Sequence, residues 1–287
     1  MSHTVGPGPN AEMARYWGET TAPKWVRLQA RLDAQLFPYG EALRQAVGGL
    51  REGQRIVDVG CGCGGTVIHN AGLVGPAGEV LGIDISGPML ARARERAGEA
   101  GLGQVSFERA DAQVFRFTPG YDLVMSRFGI MFFDDPPAAF LNLRRALRPA
   151  GRIAFVCWQA LRDNPWMALP ADAARQCVEI SRSDDPHAPG PFAFADAERV
   201  VAMLGMAGFT NITATAFHHD MELGNQTLEA SVEHLIQLGP VGQAASEAAP
   251  ELHDQIVVAV TEAVRPYFRE GRLAIPSAAW ILQATAP

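Results

Sequence analysis

Closely spaced glycines and one acid lie in the segment Ile56–Thr66, at the end of a short apolar run that contains Asp58. The glycines are Gly60, Gly62, Gly64 and Gly65. Glycine has no Cβ, so it can adopt φ > 0 in a tight turn and lets the backbone approach a ligand closely. The pattern therefore predicts a buried parallel strand that turns sharply into a helix beside a ligand. An ordinary glycine-rich turn is the simpler alternative.

Two further acids occupy the same kind of position later in the chain. Asp84 ends the apolar run Val80–Asp84, and Asp111 follows the run Val105–Arg109. Ligands of open parallel sheets bind beyond the carboxyl ends of the strands, so Asp58, Asp84 and Asp111 are expected at one edge. Asp84 lies roughly 20 residues past the glycine turn, where a carboxylate can accept hydrogen bonds from ribose hydroxyls. The three acids predict a nucleoside-containing ligand.

Two ligands of this kind are compatible with the pattern. Gly60, Gly62 and Gly65 match the G-x-G-x-x-G pattern of nicotinamide and flavin dehydrogenases. Asp58 would then lie near a pyrophosphate, which is unfavourable, and Asp111 is better placed for an adenine amino group. A ligand with a cationic ammonium and sulfonium, S-adenosylmethionine, suits acids better than a diphosphate does. An NAD(P)-dependent oxidoreductase remains the alternative.

The elements that position these residues alternate along the first half of the chain. Strands are predicted at about 55–59, 80–84, 105–109, 121–126 and 152–157, with helical patterns between them. Such alternation gives a parallel sheet with right-handed crossovers and helices on both faces. We expect an α/β fold with a doubly wound, mostly parallel sheet that is preceded by N-terminal helices.

The rest of the chain is less regular. Residues 1–22 are expected to form a flexible N-terminal segment, and residues 23–287 one domain. Prolines interrupt the stretch 159–194, and helical patterns fill about 224–275 before a last predicted strand. These two stretches are expected to be insertions that form a helical cap.

Composition and charge narrow the class of protein. The chain has 287 residues, of which 48% are hydrophobic, and a net charge of −7. The negative charge argues against nucleic-acid binding as a main function. No apolar run reaches the ~18 residues of a membrane span, and the first residues do not resemble a signal peptide. We therefore expect a cytoplasmic protein without stable membrane insertion.

Cysteine and lysine usage add two smaller points. The four cysteines, which include Cys61 and Cys63 in the glycine turn, do not look like a disulfide framework. No metal is expected, because nothing nearby supplies further ligands for these two residues. Lys24 is the only lysine beside many arginines, which suggests a GC-rich bacterial genome.

Several segments resemble those of one known family. Val57–Gly64 resembles motif I of the class I S-adenosylmethionine-dependent methyltransferases, an acid followed by G-x-G-x-G. Gly82–Ser86 is similar to the family's second-strand segment, and Ala110–Ala112 to its adenine-binding turn. Leu147–Arg152 resembles the turn before its fifth strand. Tyr16 and Trp17 resemble a pair found in the small-molecule branch related to ubiquinone and menaquinone biosynthesis.

The resemblance implies a fold and an activity. The fold is a Rossmann-like sheet of seven strands whose last strand, here Ala278–Ala284, is antiparallel. The activity is transfer of the methyl group of S-adenosylmethionine to a small, hydrophobic or aromatic molecule, which leaves S-adenosylhomocysteine. A protein that binds the cofactor without methylation is a second alternative, because function belongs to the site and not to the scaffold.

The resemblance also implies cofactor-binding roles. The backbone at Gly60 and Gly62 would pass the methionine part, and Asp58 would organise its ammonium end. Asp84 would hold the ribose hydroxyls and Asp111 the adenine amino group. The other implied cofactor-binding residues are Cys61, Ile85, Met89, Ala112, Ser126 and Arg127.

Candidates for catalysis are weak. Methyl transfer is an in-line displacement, so alignment and exclusion of water are the main tasks of the protein. A general base is needed only for an acceptor that must lose a proton. His218, His219 and Asp134 are candidates for this role or for orienting the substrate. Side chains alternate along a strand, so at most one of the two histidines can face a pocket.

Aromatic residues are candidates for the substrate site or a lid over it. They are Tyr16, Trp17, Trp25, Phe128 and Phe133. Packing of the same side chains in an ordinary core is the alternative. The expected partner is a small-molecule methyl acceptor and not a nucleic acid, whereas the acceptor atom and the oligomeric state stay open.

Overall fold

Strand β1 (Arg55–Val59) is hydrogen-bonded on one side to β2 (Glu79–Asp84). The other strands are β3 (Val105–Arg109), β4 (Tyr121–Arg127), β5 (Leu147–Trp158), β6 (Thr210–Gly224), β7 (Phe268–Arg269) and β8 (Arg272–Thr285). In this computed structural model, which describes residues 8–180, 185–224 and 227–287, the strand order is β3-β2-β1-β4-β5-β8-β6. The two-residue strand β7 pairs with β8 beside this row of seven.

Strand directions follow the sequence-based prediction. The neighbours β3, β2, β1, β4 and β5 are all parallel. Beside β5, the Ala150 amide donates to the Ala286 carbonyl, whereas the later Gln159 amide donates to the earlier Ala278 carbonyl, both at 3.0 Å. Residue numbers on β8 therefore fall as those on β5 rise, so β8 is antiparallel to β5. The prediction of a mostly parallel sheet with an antiparallel last strand is confirmed.

The register places the ends of the first strands side by side. Val59 at the end of β1 pairs with Ile83, and Asp84 at the end of β2 pairs with Arg109 at the end of β3. These strands are rich in buried apolar residues, as expected for a parallel sheet that helices cover on both faces. The loops after β1, β2 and β3 consequently meet at the same edge of the sheet.

The N-terminal segment is the main correction to the expected fold. It contains α1 (Ala11–Arg15), a π-helical turn (Tyr16–Thr20) and α2 (Ala22–Arg27), followed by α3 (Gln29–Ala46). Residues 1–22 were expected to be flexible, but they are helical from Ala11 onwards. The local sequence does not by itself explain this helical structure, because no residue of α1 is buried. The contacts that hold the segment come from distant parts of the chain, and residues 1–7 lie outside the described residues.

The remaining helices are α4 (Gly65–Val74), α5 (Gly87–Glu99), α6 (Pro136–Ala146), α7 (Pro165–Ala174), α8 (Ala197–Met206), α9 (Leu228–Leu235), α10 (Gly239–Glu247) and α11 (Pro250–Val264). Helix α4 begins after Gly64, which has a φ of 79°. Helix α6 begins after Asp135, whose carboxylate accepts a hydrogen bond from the Ala138 amide at 3.0 Å. Pro136 has no amide hydrogen, and it lies at the first position of α6, where an amide hydrogen would have no acceptor within the helix.

The described residues form two compact units. The first contains the chain up to Cys157, His187–Ala216 and Trp280–Pro287, and the second contains Trp158–Pro186 and Phe217–Ala279. The segments of the second unit overlap the insertions expected at 159–194 and 224–275. That these insertions form a cap stays a prediction. Within the described part of the chain, no helix has both the length and the apolar character needed to cross a membrane.

Inside the second unit, Asn164 joins two segments that are distant in sequence. This fully buried residue donates from Nδ2 to the carbonyls of Gln159, Ala160 and Ala278, and its Oδ1 accepts from the Ala278 amide at 3.0 Å. A buried amide side chain must satisfy its donors and its acceptor within the protein. Asn164 does so by connecting the start of α7 to β8.

Candidate active site

The turn between β1 and α4 requires glycine for two reasons. Gly60, Gly62 and Gly64 have φ angles of 69°, 54° and 79°, a region that disfavours residues with a Cβ. A Cβ on Gly60 would also lie 2.7 Å from the Cα of Gly129. Near Gly62, the closest atom to such a Cβ would be Met89 Sδ at 3.7 Å, so this part of the turn is open. The backbone of the turn is therefore accessible to a ligand.

A cavity within the first unit lies beside this turn, at the carboxyl ends of the parallel strands. Predicted cofactor-binding residues in its lining are Gly60, Cys61, Gly62, Asp84, Ile85, Met89, Asp111, Ala112 and Arg127. Predicted substrate-site or lid residues in its lining are Trp17, Trp25, Phe128 and Phe133. The fold thus brings together side chains from the N-terminal segment and from the ends of four strands.

Asp84 is held in place by backbone amides. Its Oδ2 accepts a hydrogen bond from the Gly62 amide and its Oδ1 one from the Ser86 amide, both at 2.8 Å. Burial raises the pKa of this carboxyl group, and the hydrogen bonds from Ser86 and Gly62 oppose that rise. Asp84 therefore ties the end of β2 to the glycine turn and presents a fixed acceptor at the cavity.

Two predicted cofactor-binding residues are not part of the lining. Asp58 is 1% exposed, and its carboxylate accepts a hydrogen bond from the Thr66 hydroxyl at the start of α4. Burial raises the pKa of Asp58 to about 6, although the Thr66 hydrogen bond acts against the rise. The hydroxyl of the buried Ser126 donates to the Val59 carbonyl at 2.7 Å and so links β4 to β1. Both side chains lie against the turn rather than in the cavity.

Charged side chains in and beside the cavity meet at Asp33 on α3. Its carboxylate accepts a hydrogen bond from Gln29 Nε2 at 2.6 Å and forms ion pairs with Arg96 at 2.9 Å and Arg127 at 3.5 Å. Arg96 also donates to the Cys63 carbonyl of the glycine turn at 2.6 Å. Burial lowers the pKa of Arg127, and Asp33 opposes this effect. Asp33 and Arg127 therefore offer one acceptor group and one cation to a ligand.

A second polar cluster surrounds Asp111. The Asn10 side-chain amide donates to both carboxylate oxygens of Asp111 and to Gln113 Oε1. The Gln113 amide donates to Asp111 Oδ1 at 2.9 Å. Asn10 and Asp111 both line the cavity, so the N-terminal segment reaches the turn that the sequence assigns to adenine.

Aromatic rings form one wall of the cavity. Trp17 makes edge-to-face contacts with Trp25 and Phe132, with ring centroids 5.3 and 5.0 Å apart. Tyr16 contacts Trp17 in the same way at 5.4 Å but is not part of the lining. Edge-to-face geometry is the favoured arrangement for aromatic pairs. The wall can receive an apolar or aromatic molecule.

The three candidates for a general base are not found at the cavity. Asp134 is exposed, and its backbone amide donates to Asn10 Oδ1 at 2.7 Å. His218 and His219 lie on β6 in the second unit, and neither is among the cavity-lining residues. His218 is exposed and His219 half-buried. Their proposed role stays a prediction.

Asn10, Asp33 and Phe132 are among the cavity-lining residues that sequence reasoning did not identify. Asn10 lies in a stretch with no periodic pattern, so nothing local indicated its contact with Asp111. Asp33 lies four residues after Gln29, a helical spacing that could have shown a shared face. Phe128 and Phe133 were candidates for the substrate site but Phe132 was not, although its ring contacts Trp17.

The chemistry of the lining favours one kind of nucleoside ligand. Asp33, Asp84 and Asp111 line the cavity against one arginine, Arg127, which gives an excess of negative charge. A cationic ligand fits this balance better than a diphosphate does. Within the described residues, no group of histidine, cysteine, aspartate or glutamate side chains is arranged to hold a metal ion. The fold and site define a Rossmann-like protein that binds a nucleoside-containing ligand at the carboxyl edge of its sheet.

Comparison with known proteins identifies the family. Residues 56–151 match the family described as "Methyltransferase domain". The chain is 34% identical over 193 residues to nocamycin O-methyltransferase of Saccharothrix syringae, with 63% of this chain and 68% of that protein covered. It is 35% identical over 196 residues to the ubiquinone/menaquinone biosynthesis C-methyltransferase of Pseudomonas aeruginosa, with 64% and 75% covered.

A solved structure has a similar fold. The phosphoethanolamine N-methyltransferase 2 of Haemonchus contortus, determined with phosphomonomethylethanolamine and S-adenosylhomocysteine, superposes with a TM-score of 0.53 at 20% identity. The likeness covers 87% of this chain and 52% of that protein, so this chain spans about half the length of that methyltransferase.

The chain belongs to the S-adenosylmethionine-dependent methyltransferases. The cofactor of this family is the ligand that the acid-rich cavity favours.

Proposed function

We propose that this protein transfers the methyl group of S-adenosylmethionine to a small, hydrophobic or aromatic molecule. The observation that carries the proposal is one cavity in which acids and an open glycine turn face a wall of aromatic rings. The acids suit the cationic cofactor, and the aromatic wall suits an apolar acceptor.

The residues of the cavity divide into four groups for the cofactor. Asp84 would accept from the ribose hydroxyls, and Asp111 from the adenine amino group with the Ala112 amide beside it. The open backbone at Gly60 and Gly62 would pass the methionine part. At the charged cluster, Arg127 would face the carboxylate of the amino acid end and Asp33 its ammonium group. Asp58 would stabilise the glycine turn without contacting the cofactor, whereas the resemblance implied that it organises the ammonium end of the cofactor.

When bound, the cofactor supplies an activated methyl group on a sulfonium, so the chain's own residues need mainly to bind and align. Trp17, Trp25 and Phe132 would hold the acceptor and exclude water from the reacting atoms. Among the residues that the structure describes, none of those that line the cavity is a histidine. A positioned base is therefore not part of the proposal, and an acceptor that is already ionised or nucleophilic fits it best.

The names of the relatives support the acceptor class. Nocamycin O-methyltransferase and the ubiquinone/menaquinone C-methyltransferase are named for small organic molecules. The first is named as an O-methyltransferase and the second as a C-methyltransferase. The proposal therefore names the chemical class of the acceptor but not the atom that is methylated.

The test is calorimetric titration of the full chain with S-adenosylmethionine, S-adenosylhomocysteine and NADH, repeated on Asp84→Asn. Micromolar binding of both adenosyl ligands, weakened at least about tenfold by the loss of one charge-assisted acceptor, is expected. Asp254→Asn, an isosteric change at a carboxylate that is 87% exposed, is the matched control and should bind like the wild type. Tight NADH binding without adenosyl binding would instead support a dehydrogenase.

The acceptor class has a separate test. A panel of quinones, phenols and polyketide-like aromatics is incubated with S-adenosylmethionine, and formation of S-adenosylhomocysteine is measured. Turnover of at least one member of the panel is expected. Methylation of macromolecules alone would contradict the proposed acceptor class.

A further inference from the structure

Asn10 is the N-cap residue of α1, but its side chain does not cap the helix. It occupies the N-cap of α1, where an asparagine usually accepts a hydrogen bond from an amide of its own first turn. Here the side chain makes no capping bond. It is 5% exposed and points to residues about a hundred positions away.

Both polar atoms of this side chain bond to residues that are distant in sequence. Nδ2 lies 2.9 and 3.0 Å from the two carboxylate oxygens of Asp111 and 3.1 Å from Gln113 Oε1. Oδ1 accepts from the Asp134 amide at 2.7 Å. One asparagine therefore joins the N-terminal segment to the loops that follow β3 and β4.

The consequence for Asp111 is a fixed carboxylate. Rotation about the last bond of an aspartate side chain is normally broad. The side-chain amide of Asn10 donates to both oxygens, and the backbone amide of Gln113 donates to Oδ1. These bonds together set the plane of the carboxylate. A carboxylate offers about four acceptor positions. Among the described contacts, Oδ1 receives two donors and Oδ2 one, which leaves an acceptor position on Oδ2.

We propose that Asn10 is a positioning residue that couples recognition of the adenine amino group to closure of the N-terminal helices. The inference rests on the proposed function, in which Asp111 accepts from adenine. Asn10 holds Asp111 ready for adenine, and Asp111 in turn holds the segment that carries Trp17 at the cavity. Closure of the segment and recognition of the base thus share one carboxylate.

The coupling predicts a dependence on one group of the ligand. S-adenosylhomocysteine carries the 6-amino group, whereas S-inosylhomocysteine has an acceptor oxygen there and cannot donate to Asp111 from position 6. Both ligands are titrated calorimetrically into the full chain and into its variants at pH 8. Asn10→Ala should weaken S-adenosylhomocysteine about tenfold and S-inosylhomocysteine less than twofold, because only the former uses the positioned carboxylate.

A second variant separates the effect of the lost hydrogen-bond donor from the effect of the lost side-chain volume at position 10. Asn10→Asp keeps the size of the side chain but replaces the donor by a carboxylate that faces Asp111. It should reduce the preference for S-adenosylhomocysteine more than Asn10→Ala does. Glu12→Ala, at an exposed position of α1, is the control and should keep the wild-type preference.

Closure of the N-terminal helices can be measured by proteolysis at Lys24 on α2, the only lysine of the chain. A lysine-specific protease can cut only after this residue. Saturation with S-adenosylhomocysteine should slow this cleavage in the wild type more than saturation with S-inosylhomocysteine. In Asn10→Ala the two ligands should protect equally.

Each other result overturns the inference. An unchanged preference in both variants would mean that Asn10 does not position Asp111. Equal loss of both ligands would indicate a merely structural role, and tighter S-adenosylhomocysteine binding to Asn10→Ala would mean that Asn10 competes with adenine. Should Asn10→Ala not fold, Asn10→Asp and Asn10→Ser provide the same comparison. Failure of the wild type to bind either ligand would reject the proposed function itself.

Discussion

At the scale of single residues, the glycine turn and the acid beneath it set the form of the site. Gly60 packs its backbone against that of Gly129 and adopts a φ of 69°. Asp58 is buried under the same turn with Thr66 as hydrogen-bond donor. The glycine allows the close approach of the two backbones, whereas burial of Asp58 disfavours its ionised form.

Gly60→Ala is expected to lower the free energy of unfolding by roughly 1–3 kcal/mol, because the new Cβ meets Gly129 in a strained backbone conformation. Urea unfolding followed by circular dichroism measures this change. Gly72→Ala is the matched control: Gly72 lies inside α4 with no atom within 4 Å of the added Cβ. It should gain roughly 0.5–1 kcal/mol from helix propensity. Equal effects at the two positions would contradict the steric argument.

Asp58 should make stability fall with rising pH. Its pKa is raised from 3.8 to about 6 in the folded protein, so the unfolded state releases its proton first as the pH rises. The stabilising contribution is fully present below pH 3.8 and is lost as the pH passes about 6. Asp58→Asn does not titrate, so its unfolding free energy should rise relative to the wild type by about 2 kcal/mol between pH 4 and pH 8.

Denaturant unfolding at a series of pH values measures this difference between Asp58→Asn and the wild type. Asp172→Asn, at a carboxylate whose side chain is 67% exposed, provides the control. Parallel stability curves for Asp58→Asn and the wild type would show that burial of Asp58 is not linked to its ionisation.

At the scale of elements, tertiary contacts override local signals in the N-terminal segment. Helix α3 runs from Gln29 to Ala46 with Pro38 in its interior, where a proline normally kinks or breaks a helix. Tyr39 and Leu43 after the proline and Leu32 before it are all buried. Burial of this one face stabilises the continuous helix against the cost of the proline.

Trp17→Ala should loosen the N-terminal helices. The ring makes edge-to-face contacts with Tyr16, Trp25 and Phe132, and each such pair contributes roughly 0.5–1.5 kcal/mol beyond burial. Loss of these contacts should accelerate lysine-specific cleavage at Lys24 at least about tenfold. Phe37→Ala, at an aromatic residue of α3 that is 46% exposed and not part of this cluster, should leave the rate unchanged. An unchanged rate in Trp17→Ala would show that the ring does not hold the segment.

At the scale of the whole molecule, the match to the methyltransferase family falls within one of the two units. The part matched by the methyltransferase family, residues 56–151, lies within the first unit, which also contains the cavity. The second unit is built from two stretches that interrupt the regular alternation of strands and helices. The sequence indicated both stretches because prolines and long helical patterns replaced that alternation.

The sequence by itself determined the sheet, the glycine turn and the places of Asp84 and Asp111. These features follow from local patterns, since a strand end, a left-handed glycine and an acid beside them are encoded within a few residues. Parallel pairing then brings the strand ends to one edge whatever the rest of the chain does.

Only the tertiary structure decided what surrounds these residues. Asn10 and Asp111 are separated by 101 positions, and Asp33 and Arg127 by 94. The buried side chains of Asp58 and Ser126 bond to Thr66 and Val59, whereas the expected cofactor contact of Ser126 was through its backbone and stays a prediction. Each of these contacts depends on how separate elements pack, and burial of polar groups then selects their partners. No local pattern in the sequence carries that information.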